Sequence, residues 1–190
     1  LQAMGATSMV QLGMAFEVDD KKQEFGDVLV STAILPYDMR DVLTSEDGSG
    51  YRNSYGRVKR EPAKASLVNL FRQSEQIRQD WGFNVHFGDV LSGAAVISSR
   101  HYIKELIDNV PKADEPIVGG EMEAVGLLSV SERPLWIVIK GISDFADDRR
   151  REYIAKTRLD ACYNSDLFTL QCLLDHGLTH PIVHEAPSHE

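Results

Sequence analysis

The chain is poor in cysteine and has no excess of basic residues. Its 190 residues include two cysteines, and the formal net charge is −9. Cys162 and Cys172 lie too far apart along one predicted helix to form a disulfide, so reduced cytosolic thiols are favoured. The acidic balance argues against a non-specific nucleic-acid surface or an anionic membrane as a partner, since both select for lysine and arginine.

Long apolar runs and several catalytic signatures are also missing. No apolar stretch reaches the ~18 residues of a transmembrane helix, and segment 1–7 lacks the features of a signal peptide. We therefore expect a cytoplasmic protein without a membrane partner. There is no G-x-x-x-x-G-K-[ST] phosphate loop and no G-x-S-x-G nucleophile motif. His86 and His101 have no Asp or Cys at metal-ligand spacing, so we expect no metal and no cofactor.

Extended apolar runs alternate with helical periodicities, which predicts an α/β domain around a mostly parallel sheet. Strands are predicted at 8–13, 28–35, 84–91 and 135–139. Helices are predicted at 65–81 and 121–130, and another is predicted to begin after a cap at Ser98 or Ser99. The last helix is predicted at 152–175, and its inward side chains are expected to be Ile154, Ala161, Leu167, Leu170 and Leu174. Segment 44–56 is rich in glycine and polar residues and predicts a mobile loop. The organisation expected is one domain over 1–178 and a flexible tail or linker at 179–190.

Two segments place carboxylates beside apolar elements. The first is G-G-E-M-E-A at 119–124, and the second is W-I-V-I-K-G-I-S-D-F-A-D at 136–147. Glu123 belongs to a predicted helix, and Asp144 follows a predicted buried strand. Such a pair suits a site that holds a ribose at one end and protonates a leaving base at the other.

Together these segments resemble the nucleoside phosphorylase/nucleosidase superfamily, above all methylthioadenosine/S-adenosylhomocysteine nucleosidases and nucleosidase domains fused to signalling ATPases or repeat arrays. L-S-G-A-A-V-I at 91–97 and G-D-V at 26–28 extend the resemblance to about 8–177. It implies a three-layer α/β fold with a mixed, mostly parallel central sheet flanked by helices. Family domains have further strands before the position matched by Met9. The resemblance thus implies a fold incomplete at its N-terminus, with the water-activating acid in the missing part.

The resemblance also assigns roles to individual residues. Asp144 would protonate the purine, Ser143 would orient Asp144, and Glu123 would bind the ribose hydroxyls. The remaining substrate-binding residues would be Glu121, Met122, Val96, Ile97, Ala15 and Phe16. Desolvation after a buried strand would raise the pKa of Asp144 toward the working pH. The alternative is structural: Asp144 caps a turn, and Glu123 is a solvated helix residue.

The predicted function is hydrolysis of the N-glycosidic bond of an adenine nucleoside or nucleotide, which releases the free base. Phosphorolysis is an alternative, but Gln11 and Met14 stand where phosphorylases place an Arg and a Ser, and neither clamps a phosphate dianion. A degenerate nucleoside-binding or oligomerisation module is another alternative. The arginines at 149–151 are either a solvated helix start or a contact for a charged 5′ substituent. The resemblance further implies a homo-oligomer that is part of a larger multidomain protein.

Overall fold

The computed structural model describes residues 7–19, 21–77, 80–129 and 135–176. Its strands are β1 (Ser8–Gln11), β2 (Met14–Phe16), β3 (Val28–Pro36), β4 (Asp41–Thr44), β5 (Tyr51–Ser54), β6 (Glu61–Pro62), β7 (Val85–Ser92), β8 (Ile117–Glu121) and β9 (Leu135–Asp144). Its helices are α1 (Ala65–Ile77), α2 (Arg100–Asn109) and α3 (Arg150–Asp175), with a short 3-10 helix at Ala124–Ser129. Within these ranges, no helix combines the length and the apolar composition needed to cross a bilayer.

The main sheet has seven strands in the order β1-β9-β2-β8-β7-β3-β6, and β9 also pairs with β3. That extra pairing closes β9, β2, β8, β7 and β3 into a ring. Parallel pairs join β9 to β1 and β2, and β7 to β3 and β8, while β3–β9, β2–β8 and β3–β6 are antiparallel. The predicted α/β class and the mixed, mostly parallel sheet are confirmed. In place of the predicted three-layer arrangement, the sheet is closed and barrel-like, and α1 and α3 pack on β3 and β9.

The central strand β9 is longer than the predicted strand at 135–139. It continues through Lys140 and Ser143 to Asp144, and all three are buried. These polar residues remain in the strand because each has a polar or charged partner nearby. A side chain at Gly141 would collide with the backbone carbonyl of Ala161, so glycine at this position lets α3 lie directly on β9.

Segment 44–56, predicted as a mobile loop, lies mostly in a hairpin. β4 and β5 pair in antiparallel register from Asp41↔Ser54 to Thr44↔Tyr51. The Asp47 carboxylate closes the turn between them, because it accepts hydrogen bonds from the hydroxyls of Ser45 at 2.6 Å and Ser49 at 2.7 Å. The polar, glycine-rich composition therefore reflects a tight turn with its own hydrogen bonds.

The predicted helix at 121–130 is wrong in its first part. Glu121 is the last residue of β8, and the 3-10 helix begins at Ala124. The Glu121 carboxylate accepts the backbone N–H groups of Glu123 at 2.9 Å and of Ala124 at 3.0 Å. These bonds fix the turn that connects strand to helix. Val130 lies outside the described residues.

The inward face of α3 also differs from the prediction. Leu170 is 54% exposed and Leu174 is 48% exposed, whereas Ala161 and Phe168 are buried. The close contact between Ala161 and Gly141 sets the rotation of the helix, and the small residue faces the sheet. Some of the apolar side chains of α3, including Leu170 and Leu174, therefore face the exterior.

The ends of the other two helices test two further predictions. Ser99 is the cap of α2, because its hydroxyl accepts the backbone N–H of Tyr102 at 3.3 Å. The described part of α1 extends to Ile77, and Trp81, the predicted end of the helix, lies outside it. Trp81 instead packs edge-on against Phe168, with ring centroids 5.1 Å apart. The tail predicted at 179–190 lies outside the described residues.

Candidate active site

One cavity, of about 250 Å³, lies where β2, β9, the turn after β8 and the first part of α3 meet. Six of the nine residues predicted from the sequence line it: Ala15, Phe16, Met122, Glu123, Ser143 and Asp144. The sheet register explains why they meet. β2 pairs in parallel with the last part of β9, and Phe16 is the partner of Asp144.

At one end of the cavity, Lys140 organises the carboxylates. The lysine is only 1% exposed. Its Nζ atom lies 2.8 Å from Oε2 of Glu123 and 3.2 Å from Oε2 of the buried Glu121. Burial opposes the charge on Glu123, but the hydrogen bond and the charge of Lys140 outweigh it, so the pKa of Glu123 lies below its ordinary value. Glu123 is thus a carboxylate available to the cavity, where it can accept hydrogen bonds from hydroxyl groups.

At the other end of the cavity, Asp144 is almost completely buried. Its Oδ1 atom accepts the backbone N–H of Ala146 at 2.9 Å, and its Oδ2 atom lies 3.1 Å from the Ser143 hydroxyl. Burial raises the pKa of Asp144, and the hydrogen bond from Ala146, the charge of Arg150 and the Ser143 hydroxyl oppose this only in part. A carboxyl group with a raised pKa retains its proton to higher pH, which suits a proton donor.

The loop after Asp144 is held from two sides. The ring of Phe145 stacks on Phe25 with centroids 4.1 Å apart, and Arg100 Nη1 donates to the carbonyl of Phe145 at 3.2 Å. Ala146 adopts a left-handed φ of 47°, which turns its N–H back to the Asp144 carboxyl. The orientation of Asp144 therefore depends on a backbone turn that is itself fixed.

Among the cavity residues that the sequence did not predict as site residues, three carry polar or ionisable side chains: Lys140, Arg150 and Cys162. Lys140 directly follows the apolar run at 135–139 in its strand. This position is a sequence signal for a role in the site, because a buried cation requires carboxylate partners. Arg150 belongs to the basic run considered for a 5′ substituent, but its Nε atom lies 3.3 Å from Asp144 Oδ2. Cys162, expected from the sequence only as a reduced thiol, is a half-buried free thiol that lines the cavity from α3; no sequence pattern indicated this position.

Three predicted substrate-binding residues do not line the cavity. Glu121 is buried beyond Lys140 and bonds to it and to backbone N–H groups. Ile97 is 5% exposed and packs with Tyr37 in a core cluster that also includes Phe16, while Val96 is 57% exposed. Neither Val96 nor Ile97 lines the cavity that holds the two carboxylates.

The described residues lining the cavity include two cations, and both are already paired. Lys140 contacts two glutamates, and Arg150 contacts Asp144. Met14 lines the cavity as an apolar side chain at a position where a phosphorylase is expected to hold phosphate. Neither cation is therefore left unpaired for a phosphate dianion.

The closed mixed sheet is the fold of the nucleosidases. The chain matches the 5′-methylthioadenosine/S-adenosylhomocysteine nucleosidase of Neisseria meningitidis, solved with methylthio-immucillin-A, with a TM-score of 0.72 and 17% identity over 92% of this chain and 72% of that one. It matches the futalosine hydrolase of Helicobacter pylori strain 26695 with a TM-score of 0.69 and 16% identity over 91% of this chain and 70% of that one. At 16% and 17% sequence identity, these two matches establish the fold and nothing beyond it.

One curated relative is more specific. The chain is 26% identical over 161 residues to a death domain-containing ATP nucleosidase of Amphimedon queenslandica. The match covers 76% of this chain and 30% of that protein, so this chain spans less than a third of the relative's length. No protein-family model matches. These comparisons confirm the resemblance to the nucleoside phosphorylase/nucleosidase superfamily that the two motifs predicted.

Proposed function

We propose that the protein is a nucleosidase that hydrolyses the N-glycosidic bond of a purine nucleoside or nucleotide, with adenine as the base. The observation that carries this proposal is a pair of carboxyl groups with opposite pKa shifts on one cavity. The pKa of Glu123 is lowered and that of Asp144 is raised. The names of two relatives, an ATP nucleosidase and a methylthioadenosine nucleosidase, support the choice of adenine.

In the proposed reaction, the bond between ribose C1′ and purine N9 breaks, and a bond forms between C1′ and a water oxygen. The departing purine gains negative charge, and a proton from Asp144 to N7 neutralises it. The ribose gains positive charge, which the Glu123 carboxylate stabilises while it accepts hydrogen bonds from the 2′- and 3′-hydroxyls. The proton that water loses balances the proton that the base gains.

The other cavity residues would bind and orient the substrate. Met122, Ala15 and Phe16 would contact the sugar and the base, and the Met122 thioether is a good partner for an aromatic ring. Ser143 would orient Asp144 through its hydroxyl. In this proposal Glu121 positions Lys140 and does not contact the substrate.

Two carboxylate variants of the full-length protein test the proposal. Asp144→Asn and Glu123→Gln should each lower adenine release from ATP and adenosine by about 10²–10⁴-fold, because each removes a proton or a charge that the transition state needs. Asp148→Asn and Glu152→Gln remove exposed carboxylates nearby and should retain the rate. Chromatography of the products, with circular dichroism of each variant, provides the measurement.

Three results would contradict the proposal. Turnover of Asp144→Asn at the wild-type rate would remove Asp144 from the chemistry. A ribose 1-phosphate product, formed at a rate that rises with added phosphate, would identify phosphorolysis. Binding of adenosine without release of adenine by the wild-type protein would identify a nucleoside-binding module.

We also propose a homo-oligomer. α3 carries a stripe of exposed apolar side chains at the spacing of one helical face: Leu159, Tyr163, Leu170 and Leu174. Contiguous exposed apolar surface is typical of a protein interface. Light scattering should therefore give more than one copy per particle, and Leu170→Glu should reduce that number. A wild-type monomer would contradict this proposal.

The setting of the domain is proposed on similar grounds. A single catalytic unit over 1–178 within a larger, cytoplasmic multidomain protein agrees with the partial coverage of the ATP nucleosidase relative. The free thiols of Cys162 and Cys172 suit a reducing compartment. Limited proteolysis of the full-length protein, with mass spectrometry of the stable fragment, tests the boundary.

A further inference from the structure

Arg150 differs from the two arginines beside it in the chain. It is the first residue of α3, its side chain is 25% exposed, and its Nε atom lies 3.3 Å from Oδ2 of Asp144. Arg149 contacts Asp147 at 3.6 Å and lies over the ring of Tyr153, and Arg151 is exposed. A cation at a helix N-terminus opposes the helix dipole. The position of Arg150 is therefore better explained by its contact with the Asp144 carboxylate than by helix preference.

The donors around Asp144 respond differently to a proton on Oδ2. The backbone N–H of Ala146 bonds to Oδ1 and is compatible with either form of the carboxyl. The Ser143 hydroxyl can accept a hydrogen bond from a protonated Oδ2, because it can then donate to the carbonyl of Ala15, 3.3 Å away. A guanidinium has no acceptor and keeps its charge at all accessible pH values, so Arg150 favours the carboxylate form alone.

The remaining charged groups near Asp144 are engaged elsewhere. Glu123 and Lys140 line the same cavity but pair with each other. Glu17, whose backbone N–H donates to the carbonyl of Asp144, directs its carboxylate to Arg100 at 2.6 Å. Asp147 accepts the backbone N–H of Arg149. Within the described part of the chain, Arg150 is thus the one cation paired with the Asp144 carboxyl.

We propose that Arg150 is a positioning residue that restrains the protonation of Asp144 and sets the alkaline limit of catalysis. The inference about catalysis rests on the proposed nucleosidase function. The restraint on Asp144 itself can be measured without substrate. Loss of the guanidinium should leave a buried carboxyl without a counter-ion, and that carboxyl should keep its proton to a higher pH.

The first experiment needs no substrate. Full-length protein with carbon-13-labelled aspartate carboxyls is titrated by infrared spectroscopy, and Asp144→Asn identifies the Asp144 band. In Arg150→Met the midpoint should rise by about one pH unit or more, because an opposite charge at this distance shifts a carboxyl by that amount. Arg150→Lys should stay close to wild type because it keeps the charge, and Arg151→Met serves as the matched control.

An unchanged midpoint in Arg150→Met, with an unchanged circular dichroism spectrum, would overturn the proposal. If the methionine variant does not fold, Arg150→Gln provides the same test, since it removes the charge and keeps a polar side chain. A rise of equal size in Arg151→Met would also overturn the proposal, because the effect would then be a general loss of positive charge.

The second experiment separates this inference from the proposed function. The alkaline limb of kcat/KM for adenine release should move upward in Arg150→Met by the same pH shift as the Asp144 midpoint, and it should stay in place in Arg151→Met. If the alkaline limb of kcat/KM stays in place in Arg150→Met while the Asp144 midpoint moves, the proposed role of Arg150 in catalysis is overturned. Absence of adenine release from the wild-type protein would refute the proposed function, while the titration would still decide whether Arg150 restrains Asp144.

Discussion

The two ends of the cavity use the same chemical group and give it opposite properties. Glu123 is an exposed carboxylate beside a lysine that is itself buried, 2.8 Å away. Asp144 is a buried carboxyl beside a partly exposed arginine, 3.3 Å away. The pKa falls in the first case and rises in the second. A close, desolvated cation therefore outweighs the modest burial of Glu123, whereas a more distant and partly exposed cation does not outweigh the deeper burial of Asp144.

Removal of Lys140 should have the largest effect on the difference between the two ends of the cavity. Lys140→Met leaves the buried Glu121 carboxylate without a cation, and breaking a buried ion pair costs about 3–5 kcal/mol. Glu123 loses its partner at the same time, so adenine release should also fall. Urea unfolding measures the free energy, and a release assay measures the second effect.

A control variant and a double variant show whether the loss of stability comes from the uncompensated Glu121 charge. Lys156→Met, at an exposed position of α3, should leave both quantities unchanged. Adding Glu121→Gln to Lys140→Met should recover part of the lost stability, because the uncompensated buried charge is then gone. If Lys140→Met were as stable as wild type, the lysine would not be needed to hold the Glu121 charge in the interior.

A substitution at Gly13 should disturb the Glu123 end alone. Gly13 has a φ of 148°, and an added Cβ would stand 3.0 Å from the Nζ atom of Lys140. Gly13→Ala should lower the free energy of unfolding by about 1–3 kcal/mol through backbone strain. By displacing Lys140 it should raise KM and leave the alkaline limb of the pH profile in place. Gly56→Ala is the matched control, since its Cβ would make only an ordinary contact at 3.9 Å; equal losses in both variants would contradict this account.

The smallest expected effect is a pair of opposite pH slopes in stability. The folded pKa of Glu123 is lowered from 4.5, so its contribution is present above that value and is lost as pH falls through the folded pKa. The folded pKa of Asp144 is raised from 3.8, so its contribution is present below that value and is lost as pH rises through the folded pKa.

Unfolding free energies measured between about pH 3 and pH 7 test this difference. The value for wild type minus that for Glu123→Gln should rise with pH, and the value for wild type minus that for Asp144→Asn should fall. Slopes of the same sign would show that the two ends do not differ in the way described.

The sequence predicted the fold class because local patterns determine it, but it missed features that depend on distant pairing. The buried run before Asp144 is visible in the sequence, and so is the cap at Ser99. Closure of the sheet depends on residues 28–30 pairing with residues 139–141, and no local pattern encodes that register. The face of α3 was mispredicted for a related reason, since contact with Gly141 decides the rotation of the helix.

The candidate site shows the same division. Motifs that combine carboxylates with apolar segments indicated Glu123 and Asp144, and the structure brings both to one cavity. Lys140 was predictable in principle, because a lysine in an apolar strand requires buried partners. Arg150 was not, because its contact with Asp144 depends on where α3 begins and how the preceding loop turns.

The pairing of β9 has a consequence for local opening. β1 and β2 occupy successive parts of one edge of this strand, and β3 occupies the other edge. In the middle of β9, around residues 139–141, neighbouring strands therefore shield the backbone, and helix α3 covers one face of the strand. Hydrogen exchange at such amides proceeds by opening of the largest cooperative unit rather than by fraying. The strand that ends in Asp144 therefore belongs to the last part of the domain to open.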